Sequence, residues 1–375
     1  MNKVAIIHFY PPELYPPLQN LLTEISNRED LSVILLTNHA ANSDLSVFEI
    51  KSPKIKIIRI TKVSASQTSL IRYINYFLFY LIAIWKLVLF VPGSILYFET
   101  LSSFPALIYQ RFFKKIKLYI HYHEYTSVEE YNKGMFLNRL FHRWERKVYP
   151  NADWLSHTNH FRMTMFEKDI FPAELSNKHI LPNYPPKEWK SKPRQHFGDS
   201  LLVVYAGAFS LDTMYTREFA NWVVNQQGRI LWDIYSYNLT SQAHYFIREL
   251  NCPWIRLKRG IDYSELPLIL KKYDVGVILY RGHIPNYIYN APNKLFEYLA
   301  CGLDVWFPDI MIGSMSFATK QTYPKVIPID FENLDKMDFD QLLNREEYSI
   351  GENNYFYEVA LEELLVKMTK NNEEI

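Results

Sequence analysis

Residues 290–302, NAPNKLFEYLACG, combine a lysine and a glutamate with the start of a predicted helix. Pro292 stands where a first-turn proline is tolerated, and Gly302 stands where helices commonly stop. The unpaired N–H groups and positive dipole of a helix start favour an anion, usually a phosphate. Lys294 adds a positive charge for the same anion. This segment therefore predicts a phosphate site at the start of the helix.

Glu297 lies one turn further along the same predicted helix. A carboxylate can accept two hydrogen bonds from a vicinal diol, such as that of a ribose. One short helix would then bind a diphosphate near Asn293 and a diol near Glu297, which suits a nucleotide or a sugar nucleotide. The alternative is that Lys294 and Glu297 form an exposed pair, three residues apart, on an ordinary helix.

Further candidates for contact with the donor lie at the ends of predicted strands. A strand over 275–280 would deliver Tyr280 and Arg281 at its carboxyl end. Gly207 ends the apolar run 201–207, where a glycine allows a phosphate to approach the backbone closely. The alternative for Gly207 is a glycine that only ends a strand.

The first half of the chain has its own candidates for chemistry. His8 ends the first strand and could act as a general base or hydrogen-bond a donor sugar; the alternative is a structural role. His123 and Glu124 end a later strand, and Glu124 could orient an acceptor hydroxyl. His121 and His123 share a face, but no third ligand follows at a fixed offset, so we predict no metal site.

The elements that must position these residues alternate between apolar strands and helices. This alternation predicts an α/β fold with parallel sheets and right-handed crossovers. The pattern restarts after the polar segment 187–200, which we interpret as a linker. Two doubly wound domains would bind ligands at the carboxyl ends of their sheets. Helices are predicted over 135–149 and, with an amphipathic pattern, over 355–370.

The segment around 69–90 has to be tested as a membrane span. Its run YINYFLFYLIAIW, residues 73–85, contains no charge. A span needs about 20 apolar residues, and Lys86 and Pro92 interrupt this run. We therefore predict a buried helix over 69–90. A helix lying in the membrane interface is the alternative, and a transmembrane helix is the least favoured interpretation.

Composition bounds the class of protein. A chain of 375 residues usually forms two domains. Its content of 48% hydrophobic and 22% charged residues excludes a disordered or fibrous protein. Cys252 and Cys301 are too few for a disulfide framework, so we expect a reducing compartment, the cytoplasm. We expect no signal peptide, because no cleavage site follows the short apolar run at the start.

The net charge of +1 is unevenly distributed. Residues 1–185 contain 21 Lys and Arg against 15 Asp and Glu, or +6, and the remainder contain 20 against 25, or −5. The basic, aromatic segments 51–62 and 111–119 would suit an anionic lipid surface; the alternative is ordinary solvated charge. Nothing resembles a nucleic-acid recognition module, so we expect no nucleic-acid partner.

The segment NAPNKLFEYLACGLDV resembles the donor-binding segment of retaining GT-B glycosyltransferases, especially family 4, where a PNKxFEYxAxGxPV pattern recurs. Three other segments are also similar to segments of this family: the lead-in that begins with KKYDVGVILY, YAGAF at 205–209 and HYHEY at 121–125. The resemblance implies two Rossmann-like domains facing across a cleft. These would be an acceptor-binding domain over 1–186, a nucleotide-sugar-binding domain over 187–354, and a helix within 355–375 that crosses back to the first domain.

The resemblance also implies roles for individual residues. The second glutamate of the family's Glu-x7-Glu motif falls on Glu297, expected on the donor ribose, and the first falls on Tyr289, so one carboxylate is missing. The arginine that often follows the glycine of YAG is replaced by Ala208, and the next basic residue is Arg217. Contact with the diphosphate is therefore expected from the helix start, from Lys294, and from Arg281 or Arg217.

The resemblance implies a glycosyltransferase that moves a sugar from a UDP or GDP sugar to a hydroxyl of a glycan or lipid-linked acceptor. This would serve bacterial surface-polysaccharide assembly, with retention of configuration, at the inner face of the membrane. No metal or other cofactor is expected, because the helix dipole and basic side chains stabilise the leaving diphosphate. The alternatives are an epimerase or hydrolase on the same fold, and a degenerate subunit that binds a partner or membrane.

Overall fold

The computed structural model describes residues 1–41, 45–64, 67–134, 136–171, 175–194, 200–319, 322–337, 339, 349–351 and 353–369. The chain forms two compact units. Unit 1 is Met1–Asn183 together with Tyr357–Ile375, and unit 2 is Tyr184–Phe356. Each unit is built on its own parallel sheet with alternating helices, which confirms the predicted α/β class.

Before the chain enters unit 2, the described residues of unit 1 form seven strands and six α-helices. The strands are β1 Asn2–His8, β2 Leu31–Ala40, β3 Ile55–Val63, β4 Ser94–Phe98, β5 Lys117–Tyr122, β6 Trp154–His157 and β7 Lys178–Ile180. The helices are α1 Pro16–Ser26, α2 Ser69–Phe90, α3 Thr100–Phe112, α4 Val128–Lys133, α5 Phe136–Glu145 and α6 His160–Met165. The sheet order is β3-β2-β1-β4-β5-β6-β7, so the winding reverses between β1 and β4. In sheets of this type, ligands bind beyond the carboxyl ends of the strands at such a reversal.

Unit 2 repeats this plan. Its strands are β8 Leu201–Ala206, β9 Ile230–Ser236, β10 Ile255–Arg259, β11 Val275–Val277, β12 Asp304–Pro308, β13 Thr322–Tyr323, β14 Val326–Ile329 and β15 Ser349–Ile350. Its helices are α7 Thr216–Asn225, α8 Ser241–Leu250, α9 Leu266–Leu270, α10 Pro285–Ile288, α11 Asn293–Ala300 and α12 Ile312–Met315. The main sheet has the order β10-β9-β8-β11-β12-β14, and its winding reverses between β8 and β11.

The apolar run of β1 shows why the strands lack an alternating pattern. Ala5 and Ile7 pack into the core that contains α2 and α3. Val4 and Ile6 pack into the opposite core, together with α1 and the end of the chain. Because both faces of this parallel sheet are covered, every central residue of β1 has to be apolar.

The boundaries of the units differ by a few residues from the predicted 186 and 354. Tyr184 and Tyr355 pack their rings against Phe296 of α11, which places both in unit 2. Trp189 is buried in the same core, so the start of the predicted linker over 187–200 is part of unit 2 instead. Residues 195–199 of that segment lie outside the described residues.

Three element predictions need correction. The final helix is broken into α13 Tyr357–Ala360 and α14 Glu362–Thr369, which belong to unit 1. The helix predicted over 135–149 ends at Glu145, and α4 precedes it, started by a capping box between Ser127 and Glu130. The strand predicted over 275–280 ends at Val277.

Helix α2 is less buried than predicted. A stripe at helical spacing packs on unit 1, formed by Tyr76, Phe79, Tyr80, Ala83 and Leu87. Other apolar side chains of the helix are exposed, including Leu70, Phe77, Leu81, Trp85 and Leu89. By length and composition α2 could also cross a membrane, as the single such helix in the described residues. Helix α2 therefore carries more apolar side chains than the core of unit 1 buries.

Candidate functional site

Helix α11 follows β11 and begins at the reversal point of unit 2. Pro292 is its N-cap residue, and Leu295, Phe296 and Leu299, which recur at helical spacing, are buried. Lys294 is half-buried, and Glu297 is only 6% exposed. The two charged residues are therefore not the exposed pair of an ordinary surface helix, and their burial needs another reason.

The position of Lys294 depends on Gly207, which follows β8. Gly207 has φ of +133°, and a Cβ atom built there would lie 2.7 Å from Lys294 Nζ. Only glycine has both this backbone freedom and this space. Lys294 Nζ donates a hydrogen bond to Tyr280 Oη at 3.3 Å and lies 5.4 Å from the ring centroid of Tyr205. The aromatic faces stabilise the ammonium group where the two strands end.

The backbone next to Gly207 and at the start of α11 offers hydrogen-bond donors. Within the described residues, the N–H groups of Ala208, Asn293 and Lys294 have no hydrogen-bond partner. The Gly207 N–H, by contrast, donates to the carbonyl of Tyr235 at 2.9 Å. Gly207 therefore leaves room for the lysine and its own N–H is already bonded; close approach of a phosphate to this glycine stays a prediction. Such donors, together with an ammonium group, would suit an anion.

Glu297 lies one turn after Lys294. Burial raises the pKa of its carboxyl group to about 7, and the charge of Lys294 opposes part of that rise. In the part of the chain that the structure describes, no side chain or backbone group donates a hydrogen bond to this carboxyl group. A ligand with paired hydroxyl groups would supply the missing donors.

The two arginines predicted to contact the diphosphate have partners within unit 2. Arg281 forms an ion pair with Glu218 of α7 and donates to the Met214 carbonyl at 3.1 Å, so its charge is already compensated. Arg217 is exposed and lies over the ring of Phe246 on α8, 4.9 Å from its centroid. Neither arginine contacts Lys294 or Glu297. A sequence shows the charge of an arginine but not the partner that the fold will supply.

Tyr280 and Tyr289, also predicted to contact the donor, lie on the loop between β11 and α11. Tyr280 stacks on Tyr287 with ring centroids 5.1 Å apart, and its hydroxyl contacts Lys294. The structure thus brings Tyr280 into the cluster, although it lies beyond the end of the strand. Tyr289 is half-buried at the end of α10, and its backbone packs closely against Gly313.

In unit 1 the reversal between β1 and β4 is lined by histidines. His8 is fully buried at the end of β1, with ring centroids of Tyr15 and Phe98 at 4.3 and 5.5 Å. Its Nδ1 donates to the carbonyl of Tyr10 at 2.6 Å, and its Nε2 is buried without a partner among the described residues. Burial lowers the pKa of His8 to about 4, although the hydrogen bond to Tyr10 acts in the opposite direction. The geometry favours the structural alternative for His8.

His123 and Glu124 follow β5 and differ in exposure. His123 is buried, stacked on Phe98 at 5.0 Å, and its ring lies 4.7 Å from that of His121. Burial, followed by the neighbouring histidines, lowers the pKa of His123 well below its usual value. Glu124 is exposed. Among the described residues, no group of three possible ligands is close enough to hold a metal ion.

Sequence reasoning missed Glu99, which directly follows β4. Its Oε1 atom accepts hydrogen bonds from the backbone N–H groups of His123, at 2.7 Å, and Glu124, at 3.3 Å. One signal was present: Glu99 is the single acidic residue between 51 and 123 and follows an apolar strand. The structure therefore gathers His8, Glu99 and His123 at one reversal point, and Gly207, Lys294 and Glu297 at the other.

No protein-family model matches the sequence, and no curated protein is similar to it, but solved structures are. The HepE protein of Anabaena, in complex with UDP and glucose, matches with a TM-score of 0.64 at 12% identity, covering 98% of this chain and 99% of that one. Sucrose-phosphate synthase from Thermosynechococcus elongatus matches with a TM-score of 0.64 at 15% identity, covering 88% of this chain and 86% of that one. The fold is GT-B.

Not every similar structure is a transferase. UDP-GlcNAc 2-epimerase from Neisseria meningitidis, bound to UDP-GlcNAc, matches with a TM-score of 0.58 at 12% identity and covers 98% of this chain and 100% of that one. Identities this low establish the GT-B fold alone. The activity has to be argued from the two reversal points and their residues.

Proposed function

We propose that the chain is a glycosyltransferase that moves a sugar from a nucleotide sugar to an acceptor hydroxyl, as in glycosyltransferase family 4. The observation that supports this most directly is the cluster formed by Gly207, Lys294 and Glu297 in unit 2. A half-buried ammonium group with three free backbone donors suits a diphosphate. A buried carboxylate without a donor, one turn away, suits the diol of a ribose.

In this proposal the cluster does more than hold the donor. Negative charge grows on the diphosphate as the bond to the sugar breaks. Lys294 and the start of α11 stabilise that charge from fixed positions, which lowers the barrier without a metal ion. The Anabaena and Neisseria proteins have uridine nucleotides in their structures, so UDP sugars are the first donors to test, followed by GDP sugars.

Unit 1 would bind the acceptor, and the resemblance to family 4 favours retention of configuration. Surface-polysaccharide assembly in a bacterial cytoplasm is the corresponding biological setting. Tyr289 occupies the position of the first glutamate in that family, so Glu297 would be the sole carboxylate of the motif at the donor.

A thermal-shift screen tests the donor site. Wild type and Glu297→Ala are melted with UDP, GDP, CMP and ADP and with their common sugar conjugates. A ligand at 100 times its dissociation constant should stabilise wild type by roughly 2.7 kcal/mol. We expect one nucleotide to shift wild type and to shift the variant much less. If none of them shifts a folded wild type, the donor site is refuted and a degenerate binding subunit becomes the better interpretation.

A sugar-nucleotide epimerase or hydrolase is the second candidate, since an epimerase shares the fold over nearly the full chain. Incubation of the binding nucleotide sugar with the protein, without acceptor, separates the two. An epimerase changes the sugar, and a hydrolase releases free sugar at a rate comparable to a normal turnover. A glycosyltransferase does neither until an acceptor is added.

We also propose that unit 1 docks on anionic lipid through α2. Exposed apolar side chains on this helix, such as Phe77, Leu81 and Trp85, are accompanied by the exposed Phe112 at the end of α3. Residues 51–123 contain eleven Lys and Arg and one acidic residue. An apolar helix face within a basic surface is the pattern of an interfacial helix.

Co-sedimentation with vesicles tests this docking. We expect wild type to bind vesicles containing phosphatidylglycerol and to bind pure phosphatidylcholine about tenfold more weakly. The double variant Phe77→Glu, Leu81→Glu should abolish binding. Val359→Glu, which changes an exposed apolar residue on α13 of the same unit, is the matched control and should bind as wild type does. Equal binding by the double variant would refute a role of α2.

A further inference from the structure

Glu99 stands at the reversal point of unit 1. It directly follows β4, which pairs with β1 on one side and with β5 on the other. Phe98, the last residue of β4, is in register with His8 and His121 at the ends of those strands. Glu99 is therefore placed where an open α/β sheet binds its ligand.

The backbone of Glu99 is strained. Its φ and ψ angles are 62° and 155°, a region essentially limited to glycine. The residue is the N-cap of α3, but its side chain makes no capping hydrogen bond to that helix. A glutamate that neither relaxes the backbone nor caps its helix needs another reason to be there. Strain of this kind persists at sites where a side chain has to be held in one direction.

The carboxyl group of Glu99 is fixed at one oxygen and open at the other. Oε1 accepts both backbone hydrogen bonds from the loop after β5. Oε2 has no hydrogen bond within the described residues and is not fully buried, although most of the residue is shielded from solvent. A carboxyl group that is fixed through Oε1 and free at Oε2 is suited to accept a hydrogen bond from a ligand hydroxyl group.

The other candidates at this point are less suited to that task. His8 and His123 are buried between aromatic rings, and their low pKa values keep them neutral. Glu124 is exposed, and no group in the described residues orients its carboxylate. Glu99 alone among these four combines a fixed orientation with an accessible oxygen.

We propose that Glu99 binds the acceptor hydroxyl in unit 1 through its Oε2 atom, with Glu124 as a charged neighbour. The ligand class is a polyhydroxylated acceptor, a sugar or a glycan end. This inference rests on the proposed glycosyltransferase function. It assigns to unit 1 a contact residue that the resemblance does not supply.

The charge of Glu99 changes with pH, which allows the proposal to be tested. Burial, followed by the charge of Glu124, raises the pKa of Glu99 to about 8; the hydrogen bonds from the His123 and Glu124 N–H groups and the charge of Arg162 oppose the rise. Tyr10 and Tyr131 also face this carboxyl group, but burial raises the pKa of each, so both stay neutral. Glu99 therefore changes from a carboxylic acid to a carboxylate near pH 8.

Saturation-transfer NMR with the methyl glycosides of glucose, galactose and mannose tests the site between pH 6.5 and 9. A carboxylate accepts a hydroxyl hydrogen bond more strongly than a carboxylic acid does, so wild-type binding should strengthen about fivefold as pH rises. Glu99→Gln keeps an oxygen for the two backbone donors but cannot ionise, and its binding should not change with pH. Glu124→Gln removes the neighbouring charge, so the rise should move to lower pH.

Two results would overturn the proposal. One is an equal rise with pH in Glu99→Gln, and the other is no saturation transfer from any of the three glycosides to wild type. The nucleotide thermal shift, measured on the same samples, reports on unit 2 and controls for folding. If that shift is absent in wild type, the proposed function fails; if it is present and the glycoside result is negative, only the role of Glu99 fails.

Discussion

The reversal points of the two units follow strands wound in the same order, yet their first strands end in opposite ways. β1 ends in His8, whose ring fills the space between Tyr15 and Phe98. β8 is followed by Gly207, whose missing side chain leaves the space in which Lys294 Nζ lies. The two sheets have the same strand order. The residue at the end of the first strand, or just after it, therefore decides whether a side chain fills the space at the reversal point.

The electrostatics of the two points differ for the same reason. In unit 1 the buried histidines are neutral and the nearest carboxyl group, Glu99, keeps its proton until about pH 8. In unit 2 an ammonium group lies beside free backbone donors. One reversal point therefore suits neutral hydroxyl groups, and the other suits an anion.

The largest expected effect is on the acid stability of unit 1. The folded pKa of His8 is lowered from 6.5 to about 4, so its contribution to stability is present above pH 6.5 and is lost as pH falls towards 4. A shift of this size corresponds to about 3 kcal/mol. His8→Gln should lose less stability than wild type between pH 7 and 4, measured by urea unfolding. His283→Gln, at an exposed histidine of unit 2, should show the wild-type loss; equal losses for all three proteins would contradict the burial argument.

Removing the charge in unit 2 should have the next largest effect. Lys294→Met keeps much of the apolar stem but cannot bind a phosphate, so nucleotide affinity should fall by roughly 10- to 100-fold, or about 1.5–3 kcal/mol. Isothermal titration with the nucleotide that gives the largest thermal shift measures this. Arg217→Met removes an exposed charge of the same unit and should stay within about twofold of wild type. A larger loss from Arg217→Met would restore the arginine as a contact of the diphosphate.

A side chain at position 207 should fill the space at the reversal point of unit 2, as His8 does in unit 1. A Cβ in Gly207→Ala would displace Lys294 Nζ and would also have to adopt φ of +133°. We expect about 1–2 kcal/mol of lost stability and roughly tenfold weaker nucleotide binding. Gly93→Ala in unit 1 is the control, because the nearest atom to its new Cβ is 3.8 Å away and its φ is not positive. Unchanged nucleotide binding in Gly207→Ala would refute the proposed role of the space.

The smallest expected effect is a change of nucleotide affinity with pH. Since burial raises the pKa of Glu297 to about 7, the carboxylate form grows as pH rises from 6 to 8. The carboxylate is the better acceptor for a diol, so wild-type affinity should rise by about threefold over this range. Glu297→Gln cannot ionise and should show a flat profile. A profile for the variant that parallels wild type would assign the titration to the nucleotide itself.

Much of unit 2 could be predicted from local patterns. The helix at Pro292, its buried face and the closeness of Lys294 and Glu297 depend on residues within one short segment. Local patterns could not supply partners that are distant in sequence: Glu218 compensates Arg281, and Phe246 lies under Arg217. Glu99 was missed because its distinguishing features are a backbone angle and two donors from the loop after β5.

The alternation of strands and helices and the start of α11 can be predicted from the sequence, because apolar periodicity and helix signals act over a few neighbouring residues. Which groups are buried, paired or free depends on the packing of the folded chain. Gly207 and Lys294 are 87 positions apart, and His8 and Glu99 are 91 apart. Packing of parallel strands brings such residues together, and their burial and charges are then set by neighbours that no local pattern specifies.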